Sequence, residues 1–199
     1  MMFKPAVTIS VDPGSHAGIA AITDEIVYVS DIRKMRETDP WKRIDFLQEA
    51  LRACGVSMTE GGRVEGGQTI HFVTEAQYVS SIAKRSALVV SGHASAWEVA
   101  AQLVGGTNCY VQPRVAPVSW QAMIGAAKGK SRDRKHRAAR VLIDHDRRFE
   151  NLGQGAIDAI LIGIYSHAIA NGWSGKASEP IAGWQWIHDA WKEREILDA

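Results

Sequence analysis

Three acidic residues of this chain lie in otherwise apolar stretches. A carboxylate is unexpected there unless it has a structural or chemical function. Asp12 ends the stretch "VTISVD", Glu75 ends "IHFVTE", and Asp158 interrupts "GAIDAILIGI". Burying a charged carboxylate is costly unless a hydrogen-bond donor, a cation or a metal compensates it. If the strands that end at Asp12 and Glu75 are neighbours, the two side chains meet at one sheet edge, where Asp158 joins them from a packed helix.

Several anions that converge on one place repel one another, and the usual remedy is a hard divalent cation with oxygen ligands, such as Mg²⁺ or Mn²⁺. Two such ions about 4 Å apart hold a scissile phosphate, activate a water molecule and stabilise the leaving oxygen. The pattern therefore predicts phosphoryl-transfer chemistry. Each acid also has an ordinary explanation by itself: Asp12 as a turn residue before Pro-Gly, Glu75 as a strand-end charge, and Asp158 as the partner of an arginine.

The elements that must position these residues follow from the hydrophobic pattern and the turn residues. Strands are predicted over residues 6–12, 17–22, 25–32, 69–76 and 108–113, and helices over 40–54, 79–104, 117–124, 131–145 and 154–170. The glycine-rich stretch "GVSMTEGGRVEGGQ" between them is interpreted as a flexible connection. Three strands in a meander followed by alternating helices and strands predict an α/β fold, with a mixed five-stranded sheet flanked by helices as in ribonuclease H-like domains.

Positive charge is concentrated in one part of the chain. Residues 128–148 hold nine Lys or Arg against three Asp, a local balance of +6 in a chain whose net charge is +1. In the predicted helix over 131–145, Arg132, His136 and Arg140 share one face, while Ala138 and Val141 fall at core-facing positions. A solvated helix face would explain the charges, but together with the three acids they indicate contact with a nucleic-acid backbone.

The acidic motifs resemble those of the RuvC family of Holliday junction resolvases. "VDPGSH" is similar to the first acidic motif, "VTEAQY" to the second and "GAIDAILIGIYSHA" to the third. Between them, "SSIAKRSALVVSGHASAWEVAAQ" resembles the long interface helix of the family, and "YVQPRVAPVSWQAMIGAAKGKSRDR" resembles the strand, helix and basic loop before the last helix. The resemblance covers residues 6 to about 170.

This resemblance implies a homodimeric endonuclease of ribonuclease H-like fold that requires Mg²⁺ or Mn²⁺, with two ions per site, and nicks two opposing strands of a four-way DNA junction. Asp12, Glu75 and Asp158 become its catalytic residues and metal ligands. Tyr78 falls where the family places an aromatic residue that stacks at the opened junction centre, as base stacking allows. The remaining residues expected to bind DNA are Lys84, Arg85, Lys128, Lys130, Arg132, Arg134 and Lys135.

One position departs from the family pattern. The family carries a second acid or a histidine three residues before the last aspartate, and here that position is Gly155. Three possibilities follow: the three acids and water suffice, another residue such as Asp144, His145 or Asp146 substitutes, or one metal site is weakened. A weakened site would make cleavage slow, manganese-dependent or absent.

Residues 171–199 extend beyond the resemblance and are rich in tryptophan. In "GWQWIHDAWKEREILDA", Trp184, Ile187 and Trp191 recur on one helical face, which predicts a helix that packs on the residue 1–170 domain or on a partner subunit. An additional surface for stacking on DNA is the alternative.

Composition limits the other classes of protein. Apolar residues make up 46% and charged residues 23% of 199 residues, as in one globular domain, and neither a membrane span nor a signal peptide is evident, so a cytoplasmic protein is expected. Cys54 and Cys109 are far apart and predicted to be buried, reduced thiols, and His71, His93 and His167 are interpreted as structural.

Three alternatives to a junction resolvase remain. A nuclease of the same fold acting on RNA or other branched DNA fits the same acids, and a junction-binding protein without catalysis fits Gly155. A phosphotransferase of the actin and sugar kinase superfamily shares a strand followed by Asp, Gly and a hydroxyl residue, but needs two such domains and a longer chain.

Overall fold

The computed structural model describes residues 6–14, 16–33, 40–76 and 84–198. Most predicted elements are confirmed within one or two residues, and the first five residues of the predicted helix over 79–104 lie outside the described residues. The strands are β1 (Val7–Asp12), β2 (His16–Ile22), β3 (Ile26–Arg33), β4 (Ile70–Thr74) and β5 (Cys109–Val111). The helices are α1 (Pro40–Ala53), α2 (Lys84–Gly105), α3 (Pro117–Met123), α4 (Ser131–His145), α5 (Gln154–Ala170) and α6 (Gln185–Asp198).

The strands form one mixed sheet in the order β3-β2-β1-β4-β5. The pairs β1–β2 and β2–β3 are antiparallel, while β4 runs parallel to β1 and β5 parallel to β4. This is the ribonuclease H-like arrangement that the sequence predicts. Because β1 and β4 are parallel neighbours, their carboxyl ends lie at the same edge of the sheet.

The two faces of the sheet support two hydrophobic cores. In β1, which is buried along nearly its whole length, Val7, Ile9 and Val11 face the core shared with α1 and α2. On the opposite face Ser10 donates a hydrogen bond of 2.6 Å to the carbonyl of Ala159 in α5. The central strand is therefore held between helical layers, as alternation of side chains along a strand requires.

Helix α5 is the centre of the second core, and thirteen of its seventeen residues are buried. Helices α3 and α4 pack against it, α6 packs against α3 and α4, and Trp184 and Ile187 belong to the same core. The tail helix thus packs against the preceding helices of the same chain. In the described part of the chain, no helix combines the length and apolar character needed to cross a membrane.

The glycine-rich connection differs from its interpretation as flexible. Met58 and Val64 form an antiparallel bridge, and Val64 is buried and donates its backbone N–H to the carbonyl of Val104 at 2.9 Å. The segment is therefore a small packed hairpin on the end of α2. Its two valines, at positions 56 and 64, are buried and hold the segment against the protein. The many glycines around them make these two apolar residues easy to overlook in the sequence.

The three histidines interpreted as structural have hydrogen-bond partners inside the protein. His167 pairs with Thr8 at 3.0 Å, and His93 with Arg43 at 3.2 Å. His71 pairs with Gln112.

Both cysteines are free and half-buried, which is less burial than the sequence predicts. Burial raises the pKa of the Cys54 and Cys109 thiols to about 11.

Since the thiolate is the reactive form, we expect alkylation of these two cysteines by iodoacetamide at about pH 8 to be about a hundredfold slower than for an exposed cysteine. The rate should rise about tenfold per pH unit below the pKa, which mass spectrometry of the native protein measures. A rate equal to that of the unfolded chain would contradict this prediction.

Candidate functional site

The three predicted acids lie on three different elements at the carboxyl edge of β1 and β4. Asp12 is the last residue of β1, and Glu75 follows β4 and bridges to Val115. Asp158 lies in the second turn of α5 and is buried, while Asp12 is half-buried. The folding of separate parts of the chain thus brings these carboxylates to one place.

The electrostatics of the carboxylates show their proximity. Burial raises the pKa of Asp12 well above its ordinary value, and the negative charges of Glu75 and Asp158 raise it further. Burial also raises the pKa of Asp158 to about 7, with a contribution from Glu75, while Gln154 and Lys135 oppose the rise. An ionised Glu75 therefore makes ionisation of both aspartates less favourable, and an ionised Asp158 has the same effect on Asp12.

Each acid also accepts a hydrogen bond that fixes its side chain. The indole Nε1 of Trp120 donates to Oε1 of Glu75 at 2.9 Å, and Nε2 of Gln154 donates to Oδ1 of Asp158 at 2.6 Å. The backbone N–H of Gly14 donates to Asp12. Sequence reasoning missed Trp120 and Gln154. The i, i+4 spacing of Gln154 and Asp158 was a usable signal for the second, whereas the first contact spans 45 residues.

The hydrogen bond from Trp120 predicts a positioning role that can be measured. Trp120→Phe keeps an aromatic ring in a buried position but removes the N–H that orients Glu75. If Glu75 holds a metal ion, we expect the activity that depends on this ion to fall about tenfold, as when other groups that orient a metal ligand are removed. The control is Trp97→Phe, because Trp97 is a buried tryptophan in the other core. The reaction rates of the two variants are compared. Equal losses in both variants would mean that only packing had changed.

A separate network ties α2 to the strand that carries Glu75. Arg114 binds both carboxylate oxygens of Glu98 in α2, at 2.7 and 3.0 Å, and reaches Ser91 and Ser95 of the same helix. Thr74, the residue before Glu75, donates to Glu98 at 3.2 Å. Helix α2 therefore braces this edge of the sheet.

Gly155 lies where the backbone of α5 meets the backbone of β2. A Cβ atom on Gly155 would stand 2.1 Å from the carbonyl oxygen of His16, and one on Gly18 would stand 2.2 Å from the carbonyl oxygen of Gly155. Both glycines are needed for this approach, since real Cβ contacts are never so short. The glycine that departs from the family pattern is thus a packing requirement of this chain.

The residues suggested as substitutes for the missing ligand have other contacts. Asp144 pairs with Arg140 at 2.7 Å, and Asp146 binds both the backbone N–H and the guanidinium of Arg148. The ring of His145 stacks on that of Trp186, with centroids 4.3 Å apart. The structure thus joins none of these three to Asp12, Glu75 and Asp158.

The donor set at the sheet edge has the chemistry of a hard-cation site. It offers carboxylate oxygens and an excess of negative charge, which Mg²⁺ and Mn²⁺ favour and would neutralise. As they stand, no three His, Cys, Asp or Glu side chains in the described ranges are grouped closely enough to form a finished metal site. Binding an ion here would require the carboxylates to draw together.

The predicted basic helix forms α4, and its polarity is as expected. Ala138, Val141 and Leu142 are buried, while Arg132 and Lys135 are exposed. Lys135 lies close enough to the acids to lower the pKa of both Asp12 and Asp158. The cationic face thus adjoins the carboxylates.

The other residues expected to bind DNA are divided between described and undescribed parts of the chain. Lys128 and Lys130 are exposed in the loop before α4, and Arg134 is half-buried in its first turns. Tyr78 lies outside the described residues, as do the side chains of Lys84 and Arg85, whose backbone begins α2.

Of the comparisons with known proteins, the one with solved structures finds a match. No protein-family model matches this chain, and no curated protein matches it. Among solved structures, it resembles T. thermophilus RuvC in complex with a Holliday junction substrate, with a TM-score of 0.47 and 14% sequence identity. The match covers 84% of this chain and 97% of the other. The class that the sheet topology defines is the ribonuclease H-like fold, and assignment of activity depends on the residues at the sheet edge.

Proposed function

We propose that this chain is a metal-dependent endonuclease that resolves four-way DNA junctions by paired, symmetric nicks. The observation that carries the proposal is the convergence of Asp12, Glu75 and Asp158 at one edge of the sheet, beside the cationic face of α4. The resemblance of the three acidic motifs to those of RuvC resolvases supports a junction as the substrate.

In this proposal the side chains divide the work. Asp12, Glu75 and Asp158 would hold Mg²⁺ or Mn²⁺, which would supply an activated water and stabilise the leaving oxygen. Trp120 and Gln154 keep Glu75 and Asp158 oriented. The cations of the loop before α4 and of its first turns hold the sugar-phosphate backbone, which positions the strand without reading its sequence.

Symmetric nicking requires two copies of the site, and α2 offers a surface for a second copy of this chain. Its exposed apolar residues Leu88, Val99 and Leu103 recur at helical spacing and are 69%, 56% and 51% exposed. Trp41, at the start of neighbouring α1, is 73% exposed. An apolar stripe of this kind is costly to leave in water. A dimer through α2 also agrees with the resemblance of this segment to the interface helix of the family.

We expect Leu88→Glu combined with Val99→Glu to convert the dimer to a monomer, because each buries an unpaired charge in the proposed interface. Mass from light scattering after size exclusion measures the change. Ile196→Glu, on α6, is the control because its side chain is also exposed, at 77%. A wild-type chain that is monomeric at micromolar concentration would contradict the proposed dimer.

The activity is tested with a labelled four-way junction, the matching linear duplex and a single strand, each with Mg²⁺ and with Mn²⁺. We expect paired nicks at symmetric positions on the junction alone, with 5′-phosphate and 3′-hydroxyl ends. Cleavage of an RNA–DNA hybrid or a branched RNA in preference would move the assignment to the related nucleases of this fold.

Gly155 favours a second candidate function, a junction-binding protein with weak or no catalysis. A side chain at position 155 would clash with the backbone of His16, so this position has no room for a fourth metal ligand. Tight, structure-selective binding without cleavage in either metal at high protein concentration would support this candidate against the first.

A further inference from the structure

The C-terminal helix α6 and the segment that leads into the basic loop enclose a cleft. The roles proposed for the three acids and for α4 do not account for this cleft. The cleft has a volume of about 220 Å³, and it is lined by Lys128, Arg194, Glu195, Trp191 and Gly125 together with two alanines. It carries two cations against one anion. A small concave surface with this balance favours an anionic ligand.

Gly125 shows that close approach of α6 is built into the fold. This residue has a φ of +66°, and a Cβ atom on it would lie 2.5 Å from Cβ of Arg194. A side chain at position 125 would therefore be strained and would also push α6 away. The glycine brings the stem of Arg194 against the segment that ends in Lys128.

Arg194 contains a hydrogen-bond donor that the described part of the chain does not satisfy. Its Nε is buried and has no hydrogen-bond partner among the described residues. A buried donor without an acceptor is costly, and a small shift of the side chain towards the cleft would let an oxygen of a phosphate group satisfy it with a charge-assisted bond. The guanidinium group is suited to phosphate because it presents several donors in one plane.

The chain connects the cleft to the candidate site through α3. Trp120, which binds Glu75, lies in α3, and Gly125 follows two residues after the end of that helix. At the other end of the basic helix, the stack of His145 on Trp186 fixes α6 against α4. The tail helix thus borders the basic segment at both of its ends.

We propose that this cleft binds a backbone phosphate of the DNA, with Arg194 and Lys128 as its ligands, so that the tail helix is part of the nucleic-acid interface. The inference rests on the proposed function for its ligand, but it concerns binding and does not depend on cleavage. It gives residues 171–199 a role that the family resemblance does not cover.

The test is the affinity of Arg194→Gln for a fluorescent four-way junction without divalent metal, measured over a series of salt concentrations. We expect about fivefold weaker binding and a slope of log affinity against log salt that is smaller by about 0.9, the value for one lost phosphate contact on duplex DNA. Lys192→Gln is the matched control, since Lys192 is an exposed cation on the same helix but does not line the cleft. Arg194→Lys should restore the slope, because it restores the charge.

The outcomes separate this inference from the proposed function. If Arg194→Gln binds the junction as the wild type does, or if Lys192→Gln loses as much, the cleft assignment is wrong while junction binding stands. If the wild type binds no nucleic acid, both proposals are overturned. Displacement of the Arg194-dependent part of binding by millimolar nucleoside monophosphate would assign the cleft to a free nucleotide instead of a DNA strand.

Discussion

Asp12→Asn is expected to reduce junction cleavage by at least about a thousandfold while leaving junction affinity in the absence of metal within about twofold. The substitution is nearly isosteric, and its amide oxygen can still accept the hydrogen bond from Gly14. What it removes is one of the negative charges that would hold the ions. Cleavage rates under single-turnover conditions and binding by fluorescence anisotropy measure the two quantities separately. Asp24→Asn, an exposed acid in the turn between β2 and β3, is the control.

The same variant should gain stability when no metal is present. Burial and the charges of Glu75 and Asp158 make an ionised Asp12 unfavourable, as the raised pKa shows. Removing that charge should stabilise the fold by about 1 kcal/mol in EDTA, or a rise in Tm of about 3 °C for a chain of this size. A loss of activity together with increased stability is the expected mark of a functional residue. If Asp12→Asn cleaved normally, Asp12 would be a turn residue and the proposed site would fail.

Gly155→Ala is expected to destabilise the protein by about 3 kcal/mol and to lower Tm by about 9 °C, although it adds only one methyl group. The new Cβ would stand 2.1 Å from the His16 carbonyl oxygen and 2.9 Å from the carbonyl carbon of Ala17, so either α5 or β2 must move. Since neither contact is to a flexible side chain, the strain has no easy relief. Thermal unfolding followed by circular dichroism measures the loss.

Gly66→Ala is the matched control for this prediction. Gly66 is exposed, its φ lies outside the left-handed region, and a Cβ on it meets nothing within 4 Å. We expect that variant to change the free energy of unfolding by less than about 0.5 kcal/mol. Gly155→Asp, which would restore an acid at the position where the family has one, should be at least as unstable as Gly155→Ala. A stable, more active Gly155→Asp would show that the backbone contact had been overestimated.

Much of the secondary structure follows from local sequence alone, because its signals are local. Alternating and continuous apolar runs identify the strands, and helical spacing with Pro40 before it and Gly55 after it delimits α1. The helix over 154–170 is recognised by an apolar run too long for a strand. The packed hairpin near Val64 does not follow from the local sequence, because the glycines hide two isolated buried valines whose burial depends on contact with the distant α2.

The sequence by itself determined the order of the elements, the three acids in otherwise apolar segments and the cationic face of α4, since each is visible in consecutive residues or in a short period. Only the tertiary structure decided that Trp120 binds Glu75, that Gly155 has no room for a side chain, and that α6 closes a cleft against Gly125. These contacts join residues far apart in the chain, and their geometry is set by how closely two backbones approach, which no local pattern of residue types encodes.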